Sequence, residues 1–241
     1  MSNSPEDSDV NVEAERVAAR ARVSWIILGV VMIAATVGLG ACTFARGNTP
    51  FAIDLWWNDL LVALASPVFV AVSQAMDFLG GGWFGVFVVP IGGTVALWFF
   101  GRRWGAVFFL AASILSAGAV QLLKQSFGRE RPEQILVVAD FGSFPSGHVA
   151  NAATIAAVAL VLFPRLWVIL VGAAWVLLMA FSRTAVHAHW LSDTLAGILV
   201  GVGVVLVLAG AMARPLAREI PEDEPDADAG AGSGGATERA R

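Results

Sequence analysis

Six long apolar runs, separated by short polar segments, constrain this sequence more than any other feature. A helix that spans a bilayer needs about 20 predominantly apolar residues, and fewer when its ends are capped. The chain is 57% hydrophobic and only 14% charged, whereas a soluble domain averages about 25% charged residues. We therefore predict an all-α integral membrane protein with six transmembrane helices. The runs are Val23–Thr43, Gly82–Phe100, Gly105–Leu123, Val149–Phe163, Leu166–Phe181 and Thr194–Ala213.

The segment 51–80 is apolar in part but is interrupted by polar residues, including Asp54, Asn58 and Asp77. If this segment lies in the membrane interface, the flanking arginines all fall on one side, as the positive-inside rule requires. We therefore predict an additional interfacial helical segment at about 51–80 and place both termini in the cytoplasm. The arginines sorted in this way are Arg16, Arg20, Arg22, Arg102, Arg103, Arg165, Arg214 and Arg218.

The two ends of the chain differ in composition from its centre. Residues 1–20 are polar, and residues 216–241 are acidic and rich in glycine and alanine. Such segments cannot bury enough apolar surface to fold, so we predict two disordered cytoplasmic tails around a membrane domain at 21–215. We predict no nucleic-acid partner, because no basic stripe exists outside the short loops.

Cys42 is the only cysteine, which excludes an intrachain disulfide and a cysteine metal cluster. The stretch Leu39–Cys42 also resembles a lipoprotein cleavage box. However, the segment before it is long and acidic, and the apolar run exceeds that of a usual signal peptide. We therefore expect the first helix to be retained.

Two polar loops, 124–147 and 182–193, face the same extracytoplasmic side in this topology. They carry cations that violate the positive-inside trend: Lys124, Arg129, Arg131 and Arg183. Arginine binds phosphate through parallel hydrogen bonds, and lysine supplies a point charge. Several cations in one small pocket therefore indicate an anionic ligand.

The stretch PSGH at 145–148 precedes one of the apolar runs. Ser146 is a favourable N-cap, and the first amides of the helix after it would be unpaired and directed at the loop. Gly147 would let a ligand approach the backbone closely. This helix terminus is therefore predicted to bind phosphate.

His189 and Asp193 are four residues apart and would share one face of a helix that begins near Trp190. A carboxylate bonded to one ring nitrogen fixes the tautomer and leaves the other nitrogen free to attack phosphorus. His148 would lie across the bound phosphate, where it could protonate a leaving oxygen. Together with the cations, these groups predict a phosphoryl-transfer site without a metal or cofactor.

Each of these features also has an ordinary structural explanation. PSGH can be only a turn and a cap, arginines at helix ends can anchor headgroups, and Arg129 can simply pair with Glu130. His187, His189 and Asp193 could instead hold a metal ion, although the neighbouring cations would repel it. We expect His187 to be structural or exposed.

The order and spacing of these residues resemble the three-part signature of the type 2 phosphatidic acid phosphatase (PAP2) superfamily, K-x6-RP, PSGH and SR-x5-H-x3-D. The matching residues are Lys124, Arg131-Pro132, Pro145-Ser146-Gly147-His148, Ser182-Arg183, His189 and Asp193. By topology the resemblance extends over about Val23 to Ala213. Departures are Leu191 after Trp190, where bacterial members often have proline, and Thr184 after the SR pair, where tyrosine is common.

The resemblance implies a PAP2-like six-helix bundle that hydrolyses lipid phosphates at the outer leaflet. It assigns His189 as the nucleophile that forms a phosphohistidine and Asp193 as the residue that orients it. His148 would protonate the leaving group and later help to activate water. It assigns the phosphate to Lys124, Arg131, Ser146, Gly147 and Arg183, with no metal required.

We therefore expect a membrane lipid phosphate phosphohydrolase with lipid phosphates and membrane lipids as its partners. Expected substrates are a polyprenyl diphosphate in envelope lipid-carrier recycling, phosphatidic acid or phosphatidylglycerol phosphate. A lipid phosphotransferase or a prenyl-phosphosugar phosphatase would use the same site. A vanadate haloperoxidase shares this constellation but is expected to be soluble, and a non-enzymatic lipid-binding protein would leave so complete a set of ionisable groups unexplained.

Overall fold

The structure is a computed structural model that describes residues 5–219. Within that range the chain consists of helices and connecting loops, and a π-helical turn (Phe84–Val88) lies directly before α4. The helices are α1 (Pro5–Ala45), α2 (Ala52–Ala63), α3 (Pro67–Gly80), α4 (Val89–Phe99), α5 (Arg103–Phe127), α6 (Gly147–Leu162), α7 (Leu166–Ala185), α8 (Leu191–Ala211) and α9 (Ala213–Ala217).

Helix α8 is the centre of the bundle and packs along both α1 and α6. Glycines allow this close approach, because a Cβ at Gly203 would lie 2.9 Å from the carbonyl oxygen of Gly29. On the face toward α6, a Cβ at Gly197 would lie 2.7 Å from the carbonyl oxygen of Ser146. Small residues at such positions let helix backbones pack directly against each other in a membrane.

Helix α5 packs against the other side of α6. Phe108 and Ala112 of α5 are buried against Val158 and Leu162 of α6. A buried hydrogen bond of 2.8 Å from the Thr154 hydroxyl to that of Ser116 joins the same two helices. The C-terminal end of α5 and the N-terminal end of α6 therefore lie at one end of the bundle.

By length and composition, four helices could span a membrane: Arg16–Ala45, Arg103–Phe127, Leu166–Ala185 and Leu191–Ala211. The pair Pro67–Gly80 and Phe84–Phe99, bent by 40°, would make a fifth. The predicted six spans are thus not confirmed. The predicted run Val149–Phe163 is a helix of only 16 residues, because α6 begins at Gly147 and Pro164 follows its C-terminus.

The predicted interfacial helix 51–80 is two helices. Ser66 caps α3 by accepting a hydrogen bond of 3.3 Å from the Phe69 amide, and Pro67 occupies its first turn. Serine at the N-cap and proline at the first position both favour a new helix start, which divides the segment. Helix α3 then packs against α7, and buried polar residues of α2 and α3 face the bundle.

Part of each predicted tail lies within the described residues and is helical there. Helix α1 begins at Pro5, so residues 5–20 extend a helix, consistent with their alanine, glutamate and arginine content. At the other end, the Glu219 carboxylate accepts hydrogen bonds from the amides of Trp104 and Gly105 at the start of α5. Residues 1–4 and 220–241 lie outside the described range.

The α6–α8 contact gives a prediction about stability. A Cβ at Gly201 would lie 2.5 Å from the backbone oxygen of Ala150, so Gly201→Ala must push two helices apart. We expect a loss of about 1–3 kcal/mol, measured by thermal unfolding in detergent. Gly118→Ala is the matched control, because a Cβ there has nothing within 4 Å, and it should not lower the midpoint. Equal midpoints for both variants would contradict the close packing.

Candidate active site

The signature residues converge on one cavity of about 970 Å³ at the end of the bundle where α5 ends and α6 begins. Six of the eight predicted site residues line it: Lys124, Arg131, Gly147, His148, Arg183 and His189. The other two, Ser146 and Asp193, are fully buried next to lining residues. The structure therefore brings together all three parts of the signature, which are separated along the chain.

The cavity is polar at one end and apolar along most of its length. It follows one face of α5 from Lys124 through Ala117 and Ile114 to Leu110. At a rise of about 1.5 Å per residue, the fourteen steps from Leu110 to Lys124 span about 21 Å. The facing wall consists of apolar and aromatic side chains: Phe78, Trp83, Phe87 and Ile91. The cavity can therefore hold an anionic group together with a long apolar chain.

His189 presents an unprotonated ring nitrogen to the cationic end of the cavity, where Arg131 donates to it. Its Nδ1 lies 2.7 Å from the Ser143 carbonyl oxygen, and its Nε2 lies 3.3 Å from Nη1 of Arg131. A carbonyl can only accept and a guanidinium can only donate, so the proton is on Nδ1 and the lone pair is on Nε2. Burial lowers the pKa of His189 to about 4, a shift that Asp193 partly opposes. His189 is therefore neutral at neutral pH.

Asp193 does not form the predicted hydrogen bond to His189. Its Oδ2 lies 3.8 Å from Nδ1, beyond hydrogen-bonding distance, because the Ser143 carbonyl takes the ring proton. The carboxylate instead accepts a hydrogen bond of 2.9 Å from the Trp190 amide, at the start of α8. Asp193 thus lies close enough to interact electrostatically with the ring while it caps its own helix.

Arg129 was not predicted as a site residue, yet its side chain is fully buried beneath the site. It pairs with Asp193 at 2.5 Å and with Asp54 at 2.8 Å, so the suggested pair with Glu130 is wrong. Asp54 also accepts a hydrogen bond of 2.8 Å from the Ser192 amide. A lone carboxylate in the apolar stretch FAIDLWW is the sequence signal that could have identified Asp54.

Lys124 and Arg131 share one carboxylate, that of Asp140. Its Oδ1 lies 2.8 Å from Lys124 Nζ and 2.8 Å from Arg131 Nη2. Burial raises the pKa of Asp140, but the hydrogen bond and charge of Lys124, together with the charge of Arg131, outweigh it and lower the pKa. Asp140 therefore competes as an anion for the two cations that a phosphate would use.

Both cations also donate to the Gly142 carbonyl, at 3.0 Å from Lys124 and 2.9 Å from Arg131. Gly142 has a φ of +73°, which glycine adopts without strain. This turn holds the loop against the end of α5.

On the opposite wall, His148 and Arg183 share Asp77 of α3. Nε2 of His148 lies 3.0 Å from Oδ1 of Asp77 and 3.1 Å from its carbonyl oxygen. Arg183 donates to the same Oδ1 and, at 3.0 Å, to the Ser73 carbonyl oxygen. Asp77 had been noted only as an interruption of the segment 51–80.

Ser146 occupies the N-cap position of α6, as predicted, but its hydroxyl makes no capping hydrogen bond. The Oγ atom is buried without a partner among the described residues. The Ser146 amide donates to the Asp193 carbonyl at 3.0 Å, which ties the start of α6 to α8. Gly147 follows at the cavity wall, with the unpaired first amides of a helix next to it.

His187 is buried and pairs with α2. Its Nδ1 lies 2.8 Å from Oδ1 of Asn58, and burial lowers its pKa. These contacts agree with the structural role expected for it. Among residues 5–219, no group of three His, Cys, Asp or Glu side chains is placed to hold a metal ion.

Fold and site together define a helical protein with helices apolar enough to cross a membrane and with a histidine and three cations at one end of a largely apolar cavity. Residues 105–215 match the family model of the PAP2 superfamily. This matched part of the chain, which includes the whole three-part signature, is similar to the PAP2 superfamily.

Curated relatives and solved structures agree with this assignment. The chain is 31% identical over 123 residues to the lipid A 1-phosphatases of Rhizobium etli and Rhizobium johnstonii. The match covers 46% of this chain and 52% of the R. etli protein, so it spans about half the length of the curated relatives.

Two solved structures share the fold. The first transmembrane PAP2 type phosphatidylglycerolphosphate phosphatase from Bacillus subtilis matches with a TM-score of 0.67 at 22% identity, over 77% of this chain and 96% of that one. LpxE of Aquifex aeolicus matches with a TM-score of 0.58 at 25% identity, over 66% of this chain and 95% of that one.

The lowered pKa of His189 predicts a pH dependence of stability. The unfolded histidine binds a proton near pH 6.5 and the folded one near pH 4, so the unfolded state binds more protons between these values. Stability should therefore fall as pH falls from about 6.5 to about 4, by up to about 3 kcal/mol at about 1.4 kcal/mol per pKa unit. Thermal unfolding in detergent across this range measures it.

The variant His189→Asn cannot titrate and should lose this part of the pH dependence. His187→Asn, the same substitution at a buried histidine of the same loop, should retain it. An unchanged pH dependence in His189→Asn would show that this ring does not stay neutral in the folded protein.

Proposed function

We propose that the protein is a lipid phosphate phosphohydrolase that uses a phosphohistidine intermediate and no metal ion. The observation that carries this proposal is one cavity, about 21 Å long along α5, that joins a histidine and three cations at one end to an apolar channel. An anionic headgroup fits the polar end and a lipid chain fits the apolar end. A site for free phosphate would need no such channel.

In the first step, Nε2 of His189 attacks phosphorus, since its lone pair faces the cavity. The bond from phosphorus to the lipid oxygen breaks, and His148 gives its proton to that oxygen, which leaves as a lipid alcohol. Lys124, Arg131 and Arg183 hold the non-bridging oxygens, with the first amides of α6. These fixed cations stabilise the charge that a metal ion stabilises in other phosphoryl-transfer enzymes.

In the second step, a water molecule attacks the phosphohistidine and passes a proton to His148. The phosphorus–nitrogen bond breaks, inorganic phosphate leaves, and His189 returns to its neutral form. The phosphorylated ring carries positive charge, which the nearby Asp193 carboxylate and the Ser143 carbonyl stabilise. Asp193 itself is held by Arg129, so its negative charge stays directed at the ring.

The substrate class follows from the channel and from the relatives. Polyprenyl diphosphate, phosphatidic acid and phosphatidylglycerol phosphate at the outer leaflet all combine a phosphate with long chains. The relatives named lipid A 1-phosphatase add a lipid-linked sugar phosphate to this group. A phosphotransferase would use the same first step and replace water by an alcohol.

The test is phosphate release by purified protein in detergent containing EDTA, over a panel of these four lipid phosphates. Turnover of at least one lipid should occur, and His189→Asn should lower kcat by at least about 1,000-fold, because it removes the nucleophile. His187→Asn is the control, since asparagine tolerates the positive φ of His187 (54°). It should retain activity.

Three outcomes would overturn parts of this proposal. Phosphate release by His189→Asn at the wild-type rate would exclude this nucleophile. Loss of activity in EDTA that zinc or magnesium restores would exclude the metal-free mechanism. Transfer of phosphate to an added alcohol without net release of phosphate would make the enzyme a phosphotransferase.

Asp140 gives a separate prediction about affinity. Since its carboxylate occupies Lys124 and Arg131, Asp140→Asn should lower KM for a lipid phosphate and leave kcat nearly unchanged. We expect an effect of about twofold to fivefold, because an exposed ion pair contributes about 0.5–1 kcal/mol. Vanadate, as a phosphate analogue, should also inhibit the variant more strongly. A raised KM would instead show that Asp140 helps to bind substrate.

A further inference from the structure

We propose that Asp77 is a positioning residue for His148, which fixes the ring proton on Nε2 and leaves Nδ1 to exchange a proton with the substrate. This inference rests on the proposed function. It assigns a task in the reaction to α3, a helix that lies outside the part of the chain matched by the family model, residues 105–215.

The two contacts of Nε2 determine the tautomer of His148. Its neighbours are the Asp77 carboxylate at 3.0 Å and the Asp77 carbonyl at 3.1 Å. Both groups can only accept a hydrogen bond, so Nε2 must carry the proton. When the ring takes up a second proton, that proton is on Nδ1, which then gives it to the leaving oxygen while Nε2 keeps its own. Without Asp77, either nitrogen could carry the proton and the ring could rotate.

Backbone packing holds the same ring in place. A Cβ on Gly81 would lie 2.1 Å from Nε2 of His148. The backbone after α3 therefore packs directly against the imidazole ring. Asn151, one turn further along α6, donates to the carbonyl oxygens of Gly80 and Gly85 at 3.2 and 2.9 Å. The turn at 80–85 is therefore fixed to the helix that carries His148.

The carboxylate of Asp77 also accepts a hydrogen bond from Arg183. It therefore joins a proposed proton donor to a proposed phosphate ligand. Arg183 orients the carboxylate from α7, and Asp77 orients the imidazole from α3. The arrangement parallels the opposite wall, where the Asp193 carboxylate lies between Arg129 and His189.

Leaving-group dependence is the test that separates this task from a structural one. A general acid matters for an alkoxide leaving group and matters little for p-nitrophenolate, which leaves without a proton. We therefore compare kcat/KM for dioctanoyl phosphatidic acid with that for p-nitrophenyl phosphate. The ratio kcat/KM reports the steps up to the first release of product, so water attack does not enter it.

In Asp77→Asn, we expect kcat/KM to fall about 100-fold for the alkyl phosphate, the lower end of what general acid catalysis provides. For p-nitrophenyl phosphate, we expect a fall of less than about fivefold on the same grounds. The matched control is Asp59→Asn, the same change at an exposed position of α2. It should leave both values unchanged. Equal losses on both substrates in Asp77→Asn would overturn the inference.

Two further variants keep the inference testable if Asp77→Asn does not fold. Gly81→Ala places a methyl group against the ring and should give the same substrate-dependent loss. The double variant with both Asp77→Asn and His148→Asn should have a kcat/KM less than about threefold below that of His148→Asn alone. A residue that acts through another adds little once that partner is gone. If the losses in kcat/KM of the two single variants multiply in the double variant, the two residues act independently and the inference is overturned.

The outcomes also separate this inference from the proposed function. If the wild-type protein turns over neither substrate, the proposed function and this inference fail together. If it turns over both, and Asp77→Asn affects both equally, only the task assigned to Asp77 fails.

Discussion

The site depends on one buried guanidinium, that of Arg129. It forms salt bridges with both Asp54 of α2 and Asp193 of α8, and all three side chains are fully buried. Removing one member of such a group would leave an uncompensated charge in a region of low dielectric, at a cost of about 3–5 kcal/mol. The loop after α5 and the helices α2 and α8 are therefore held in one arrangement, and Asp193 is fixed near the ring of His189.

Burial of His189 explains how the proposed nucleophile stays unprotonated among cations. Both burial and the charges of Arg131 and Lys124 disfavour the protonated ring. The Ser143 carbonyl accepts the one proton that remains, at 2.7 Å. Two of the cations that would hold a phosphate thus keep the proposed attacking nitrogen unprotonated, because each of them opposes a further positive charge in the cavity.

The sequence predicted the bounds of the long, straight helices more accurately than those of the helices in the region where the chain changes direction. The predicted runs at 105–123, 166–181 and 194–213 lie within α5, α7 and α8, except for the last two residues of the third, which are beyond α8. In the region 51–100 the structure divides the predicted segments into more helices than hydropathy indicates. Hydropathy averages over a window and does not register a cap at Ser66 or the turn at Gly80–Gly82, where the helix direction changes. Composition is a local property, but a bend depends on single residues and on what they pack against.

For the site, the sequence by itself determined which residues meet, because the residues of the three-part signature follow in a recognisable order from Lys124 to Asp193. It could not determine their hydrogen-bond partners. Asp54, Asp77 and Asp140 are single carboxylates without a recognisable spacing, and Ser143 contributes only a backbone oxygen. Their partners lie far away along the chain, from 9 residues between Arg131 and Asp140 to 138 residues between Asp54 and Ser192. Only the packing of α2, α3 and the loop before α6 against α7 and α8 decided those pairs, since a buried charge is stable only where the fold supplies its opposite.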